Sequence, residues 1–204
     1  RRARWRPGEK GARGLEAEGQ CRSEGAEEKI SMASPLRDRL EEGDRRVVGA
    51  AGAVADQVRE DPELLAGLID LLDDADTAVV AHTAHALMQI GQSSPGLFDP
   101  FVETLLDRLS APAQWEIGEQ LPKILVRCRL SDAQAQRLFN ILQANTLNRS
   151  NIVAACSLQG IIDLVQDGRV SRNTAQGVLE TGLKSERKAL AARARRLQTA
   201  LLKF

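Results

Sequence analysis

His82 and His85 stand three residues apart, a spacing that sets two imidazoles side by side on one turn of a helix, close enough to share a metal ion. No Cys, Asp or Glu lies beside them in the local sequence to complete a ligand set, and they are the only histidines in the chain. They read as imidazoles turned to solvent or to a partner, with no metal site and no general base. A second group with chemical potential is Trp115 with Glu116 and Glu119, an aromatic ring near two carboxylates. Cys21, Cys128 and Cys156 form an odd, widely spaced set without a C-x-x-C pair, and they read as free thiols of a reducing compartment. The sequence holds no nucleophile elbow, no phosphate-cradling glycine loop and no His-Glu-x-x-His. The expectation is a protein that is not an enzyme and carries no cofactor.

Composition narrows the classes. Hydrophobic residues make up 43% of the 204 and aromatic ones 3%, with no Tyr. Chains rich in Ala, Leu, Arg, Glu and Gln favour helices over strands, and so few rings argue against modules that stack nucleic-acid bases. Lys plus Arg is 28 and Asp plus Glu is 28, so the chain lacks the overall basic excess of a dedicated nucleic-acid binder. The charge is nevertheless polarised. Asp56, Glu60, Asp61, Glu63, Asp70, Asp73, Asp74 and Asp76 make an acidic stretch, whereas Lys184, Arg187, Lys188, Arg193, Arg195, Arg196 and Lys203 face little acid besides Glu186. No run reaches the ~18 apolar residues of a membrane span, and no apolar leader opens the chain, so the expected location is cytoplasmic, away from membranes.

These residues must be positioned by helices. Residues 1–33 are set apart by a basic start (Arg1, Arg2, Arg4, Arg6, Lys10, Arg13) and an acidic continuation (Glu16, Glu18, Glu24, Glu27, Glu28), with too few apolar side chains to offset the entropy of ordering. This segment is expected to be a disordered tail, and because the first methionine is Met32 it can be sequence upstream of a start. The repeat domain is placed at 34–204, opening on Ser34 as a cap and Pro35 at the first helical position. From there helix-period segments alternate with short polar breaks, and no stretch has the period of a strand.

The segments repeat. Val80, Ala84 and Leu87 form an i, i+4, i+7 stripe. Val47, Ala51 and Val54, then Ile117, Leu121 and Ile124, then Asn151, Ala155 and Leu158, then Leu190, Ala194 and Leu197 take the same register. Copies lie roughly 33–39 residues apart, the period of two-helix repeats. Each is preceded by another apolar helix: Leu36–Leu40, Leu64–Leu72, Phe101–Leu109, Leu138–Leu142 and Val178–Leu183. Pro122 is expected to interrupt its helix, and Gly49 and Gly52 to lie within one. In this pattern the chain resembles HEAT repeats of the HEAT/armadillo superfamily. The stretch from Leu68 to Gly91 carries the likeness best: a leucine-rich helix, an Asp-containing turn, Val80 opening the second helix, Ala84 one turn later, then Ala86-Leu87 and Ile90-Gly91.

The resemblance implies an all-α fold, a right-handed α-α superhelix of about five helix pairs whose second helices line a concave groove. The resemblance speaks to architecture and hardly to activity; the repeat fold, the missing catalytic constellation and a groove-facing Trp together give the expectation of a protein-protein interaction scaffold, its partner seated on His82, His85, Gln89, Trp115, Glu119 and Val153. Ile152 and Cys156 share that predicted face. Some HEAT-like enzymes, the alkylpurine DNA glycosylases, use aromatic and acidic residues in a basic groove. Trp115 with Glu116 or Glu119 echoes them, but there is no Tyr and no second Trp in 34–204, whose middle is acidic. Nucleic-acid binding, through such a site or through the basic patch Lys184, Arg187, Lys188, Arg193, Arg195 and Arg196, is the alternative. The last helix carries Leu190, Leu197, Leu201, Leu202 and Phe204, and its basic residues could serve as the polar cap of a monomer.

Overall fold

The computed structural model describes residues 35–42 and 49–201. The segment 1–33, Ser34, Val47, Leu202, Lys203 and Phe204 lie outside the described residues. Ten α-helices and no strand occur among the residues described: α1 (35–41), α2 (Ala51–Glu60), α3 (Leu65–Asp70), α4 (Thr77–Ser93), α5 (Val102–Ser110), α6 (Trp115–Leu125), α7 (Asp132–Asn145), α8 (Asn151–Gln166), α9 (Arg172–Leu183) and α10 (Lys188–Leu201). The fold is all-α, as composition and period require.

The polar breaks supply the helix starts. Asp76, Ser150 and Ser171 each accept a backbone N–H of the first turn that has no intrahelical partner, and Ser131 with Gln134 forms a reciprocal capping box. Proline shapes the other entries. Pro62 and Pro95 open 3-10 turns over Pro62–Leu64 and Pro95–Phe101, and with a further 3-10 turn over Leu71–Asp73 the helix α3 is shorter than the apolar pattern suggested, while α5 keeps its expected length. Pro122 does not interrupt α6. It is buried inside the helix, and the position of a Cβ built on Gly160 of α8 is 3.6 Å from its Cβ.

Packing is sequential. α2, α4, α6, α8 and α10 form a row in which each lies on the next, and α3, α5, α7 and α9 each pack on the even-numbered helix that follows. One continuous apolar core runs from Leu36 and Leu40 to Leu197 and Leu201. The stripes Val80/Ala84/Leu87, Ile117/Leu121/Ile124 and Leu190/Ala194/Leu197 are all buried, as are Ala51 and Val54. In α8 the predicted stripe is displaced by three residues. The buried stripe is Ala154, Leu158 and Ile161, while Asn151 is exposed and Ala155 half-buried. The polar Asn151 serves as the first residue after the Ser150 cap, so the true stripe starts three residues later.

The row depends on close approach. A Cβ added at Gly118 of α6 would stand 2.9 Å from Val153 Cγ1 of α8, closer than carbon atoms pack. Gly118→Ala is therefore expected to cost about 1–3 kcal/mol by overpacking. Urea denaturation of Gly118→Ala, Val153→Ala and the double variant tests this. The alanine at 118 should cost clearly less when 153 is also alanine, and strictly additive losses would show that the contact does not govern the joint.

Candidate interaction surface

His82 does not face outward. Its side of α4 is turned into the protein, leaving it 2% exposed, and Nδ1 lies 2.7 Å from the Leu40 carbonyl oxygen at the end of α1. A carbonyl only accepts, so the ring proton sits on Nδ1. The chain passes close by at Gly49, which is not helical as the pattern suggested but turns with φ of +50° ahead of α2. A Cβ there would meet the Glu42 carbonyl oxygen at 3.0 Å and His82 Cε1 at 3.4 Å. His82 thus joins α1 to α4 and leaves the proposed partner-binding set. Val153 leaves it too, being 1% exposed beneath α6.

His85, Gln89 and Glu119 are half-buried on the even-numbered row, where they join a line of polar side chains crossing it. Lys123 Nζ donates to Glu119 at 3.1 Å and to Gln120 at 2.9 Å. On α8, Gln159 donates to Asp163 at 2.7 Å and its oxygen accepts from Arg193 of α10 at 2.8 Å. Burial pushes the His85 pKa down, the Lys123 charge and His82 push it further, and Glu119 opposes them. Burial likewise pushes up the Cys156 thiol, with Lys123 and Arg193 pulling it back, and the Asp163 carboxyl despite the Gln159 bond. Cys128, buried beneath the turn after α6, is pushed up to about 12, chiefly by burial.

The His85 shift carries a stability consequence. Below its ordinary value of 6.5 the unfolded chain binds more protons at this site than the folded one. The stability linked to a neutral His85 is therefore present above that pH and lost as pH falls through the lower folded value. His85→Gln should flatten the acidic limb of denaturation midpoint against pH, and an unchanged limb would remove His85 as its source.

The basic patch divides. Arg187 is a brace, donating to the carbonyl oxygens of Asn148 and Thr146 at the end of α7 at 2.5 and 3.0 Å. Arg193 is tied to Gln159, while its Nε is buried without a hydrogen-bond partner. Lys184, Lys188, Arg195 and Arg196 are exposed, with no carboxylate in ion-pair reach among the described residues. Arg187→Ala is expected to lower stability by about 1–3 kcal/mol because it strips two carbonyls of a charged donor. Arg195→Ala should stay within ~0.5 kcal/mol. Equal thermal shifts for the two variants would contradict this division. The acidic stretch is similarly occupied. Asp74 bonds Arg37 at 2.8 Å, Arg108 reaches Asp73 at 2.7 Å and Asp70 at 3.5 Å, and Asp61 and Asp76 cap helices.

Two large apolar side chains stay open on the row: Trp115 at the start of α6, 41% exposed, and Ile152 at the start of α8, 46% exposed. They flank the joint where Gly118 meets Val153, one helical turn from the first residue and one residue from the second. Glu116 is buried and Glu119 is paired with Lys123, so neither stands as a free carboxylate beside the Trp115 ring. Beyond Ile152 a groove of about 510 Å³ opens between α8 and α10, lined by Asn151, Ile152, Ala155, Cys156, Ala189, Ala192, Arg193 and Arg196. The sequence reading missed its alanines. Ala189, Ala192, Arg193 and Arg196 stand at i, i+3, i+4 and i+7, a second stripe on α10 beside its buried one, and that periodicity was the available signal.

No protein-family model matches the chain, and no curated protein does. Among solved structures it is similar to an engineered protein of the Northeast Structural Genomics Consortium. Identity is 16% over 84% of this chain and 96% of that one, with a TM-score of 0.45. The described helices themselves define the class: an all-α chain of sequentially packed helices in repeated register. Among the described residues no helix is long and apolar enough to cross a membrane, and no three His, Cys, Asp or Glu side chains are grouped to hold a metal ion.

Proposed function

We propose that the chain is a non-catalytic protein-binding scaffold, a right-handed α-α superhelix of HEAT type whose even-numbered helices line the concave face that receives a partner. The observation that carries this reading is the presence of two large exposed apolar side chains, Trp115 and Ile152, on the first turns of adjacent helices of the row. A half-exposed Trp and a branched aliphatic at neighbouring helix starts have the composition of an interface anchor, and truncating such a residue at a hot spot costs ~2 kcal/mol or more of binding. His85, Gln89 and Glu119 supply the polar rim. The likeness to HEAT repeats supports the same class of function.

The exposed cations of α10 favour one competitor, a nucleic-acid binder. The two separate cleanly. Affinity purification on the full chain should recover a protein partner that is lost on Trp115→Ala and Ile152→Ala while circular dichroism and melting temperature are unchanged. A mobility shift with duplex DNA that weakens steeply with salt and ignores both substitutions would overturn the scaffold reading.

A further inference from the structure

We infer that the groove between the N-terminal halves of α8 and α10 receives an acidic amphipathic segment of the partner. Its apolar side would lie on Ile152, Ala155, Ala189 and Ala192, and its carboxylates on Arg193 and Arg196. This rests on the protein-binding reading and adds the chemistry of what is bound.

Shape comes first. Three alanines make the walls low, which is what opens about 510 Å³ between two helices packed against each other. Its lining is mostly apolar with two guanidiniums among it, and no acidic residue lines it. Charge follows. α10 carries Lys188, Arg193, Arg195 and Arg196 and no carboxylate. Arg193 is held in place by Gln159 through Nη2, while its buried Nε has no acceptor. A carboxylate placed over the groove would accept from the guanidinium groups of Arg193 and Arg196 that line it, a charge-assisted pairing that a planar fork favours. An amphipathic helix or strand offers such an alternation of apolar and acidic groups.

A nucleic acid fits less well. The groove has no aromatic ring to stack on a base, and its lining is mostly apolar, which suits aliphatic side chains and not a sugar-phosphate backbone.

Cys156 lies in the wall and reports occupancy, while buried Cys128 is an internal reference. The probe is a fluorescein-labelled synthetic amphipathic peptide of Leu, Ala and Glu, with a Lys-for-Glu counterpart and duplex DNA as comparators, all titrated onto the full chain. The acidic peptide should bind, slow alkylation of Cys156 as read by mass spectrometry, and lose about tenfold or more in affinity on Arg196→Glu. Ala192→Phe, which fills the groove and leaves every charge, should weaken it comparably at unchanged melting temperature. Equal binding of the Lys peptide, indifference to both substitutions, no binding at all, or protection of Cys156 by DNA would each overturn the inference. If the acidic peptide fails while Trp115→Ala still abolishes partner capture, the groove assignment alone falls. If capture also survives Trp115→Ala, the scaffold reading falls with it.

Discussion

Everything on the even-numbered row depends on how closely successive helices approach. A helix pair exposes an apolar stripe on both sides and cannot bury it without a neighbour, so the core must be built across the joints between pairs. At the joint of α6 and α8 the approach is set by a missing side chain, since the space a Cβ at 118 would fill is taken by the Val153 methyls. Glycine inside a helix costs roughly 0.5–1 kcal/mol relative to alanine. The contact it permits brings a branched aliphatic to 1% exposure, alongside the one core that runs from Leu36 to Leu201. The same joint fixes the spacing of Trp115 and Ile152.

The second layer of constraint is polar and has the period of the repeat. Arg108 reaches Asp73, Arg137 reaches Glu103, Arg127 the Gln92 carbonyl, Asn145 the Leu109 carbonyl and Arg187 the Thr146 carbonyl, over 34 to 41 residues of sequence. Several of these acceptors sit at or just past the end of a helix, where the last carbonyls have no intrahelical donor. Each unit therefore satisfies the open end of the one before it. Much of the arginine that looks like a binding surface in the sequence is consumed this way, and so is much of the acid between Asp70 and Asp76.

That consumption explains what could be read from the chain and what could not. Apolar period survives stacking, because a core stripe remains a core stripe whichever neighbour covers it. Three of the five stripes, and the described part of a fourth, were legible for that reason, and the all-α class with them. The α8 stripe was misplaced because Val153, Ala154 and Ala155 are consecutive small or branched apolar residues that fit two registers equally. Side chains on the flank of a stripe are decided by geometry between helices, which no local pattern encodes. His82 was placed on the outer face by its distance from the stripe of α4, yet the Leu40 carbonyl and the turn at Gly49 close over it. His85, one turn on, meets no such cover and stays half-exposed to Lys123 and Glu119.

What remains after these demands are met is small and localised. Lys123 and Glu119 neutralise each other, Gln159 joins Asp163 to Arg193, and Arg187 is spent on carbonyls. The residual valence of the row lies toward α10: an aromatic and an aliphatic side chain at the starts of α6 and α8, three alanines that leave room, and two guanidiniums with donors to spare. Apolar area alone would attract many partners weakly, and charge alone would bind any anion in proportion to ionic strength. Set side by side over one groove, in the reading we propose, they would select against both, because a segment would have to bring carboxylates and aliphatic side chains together to match the lining.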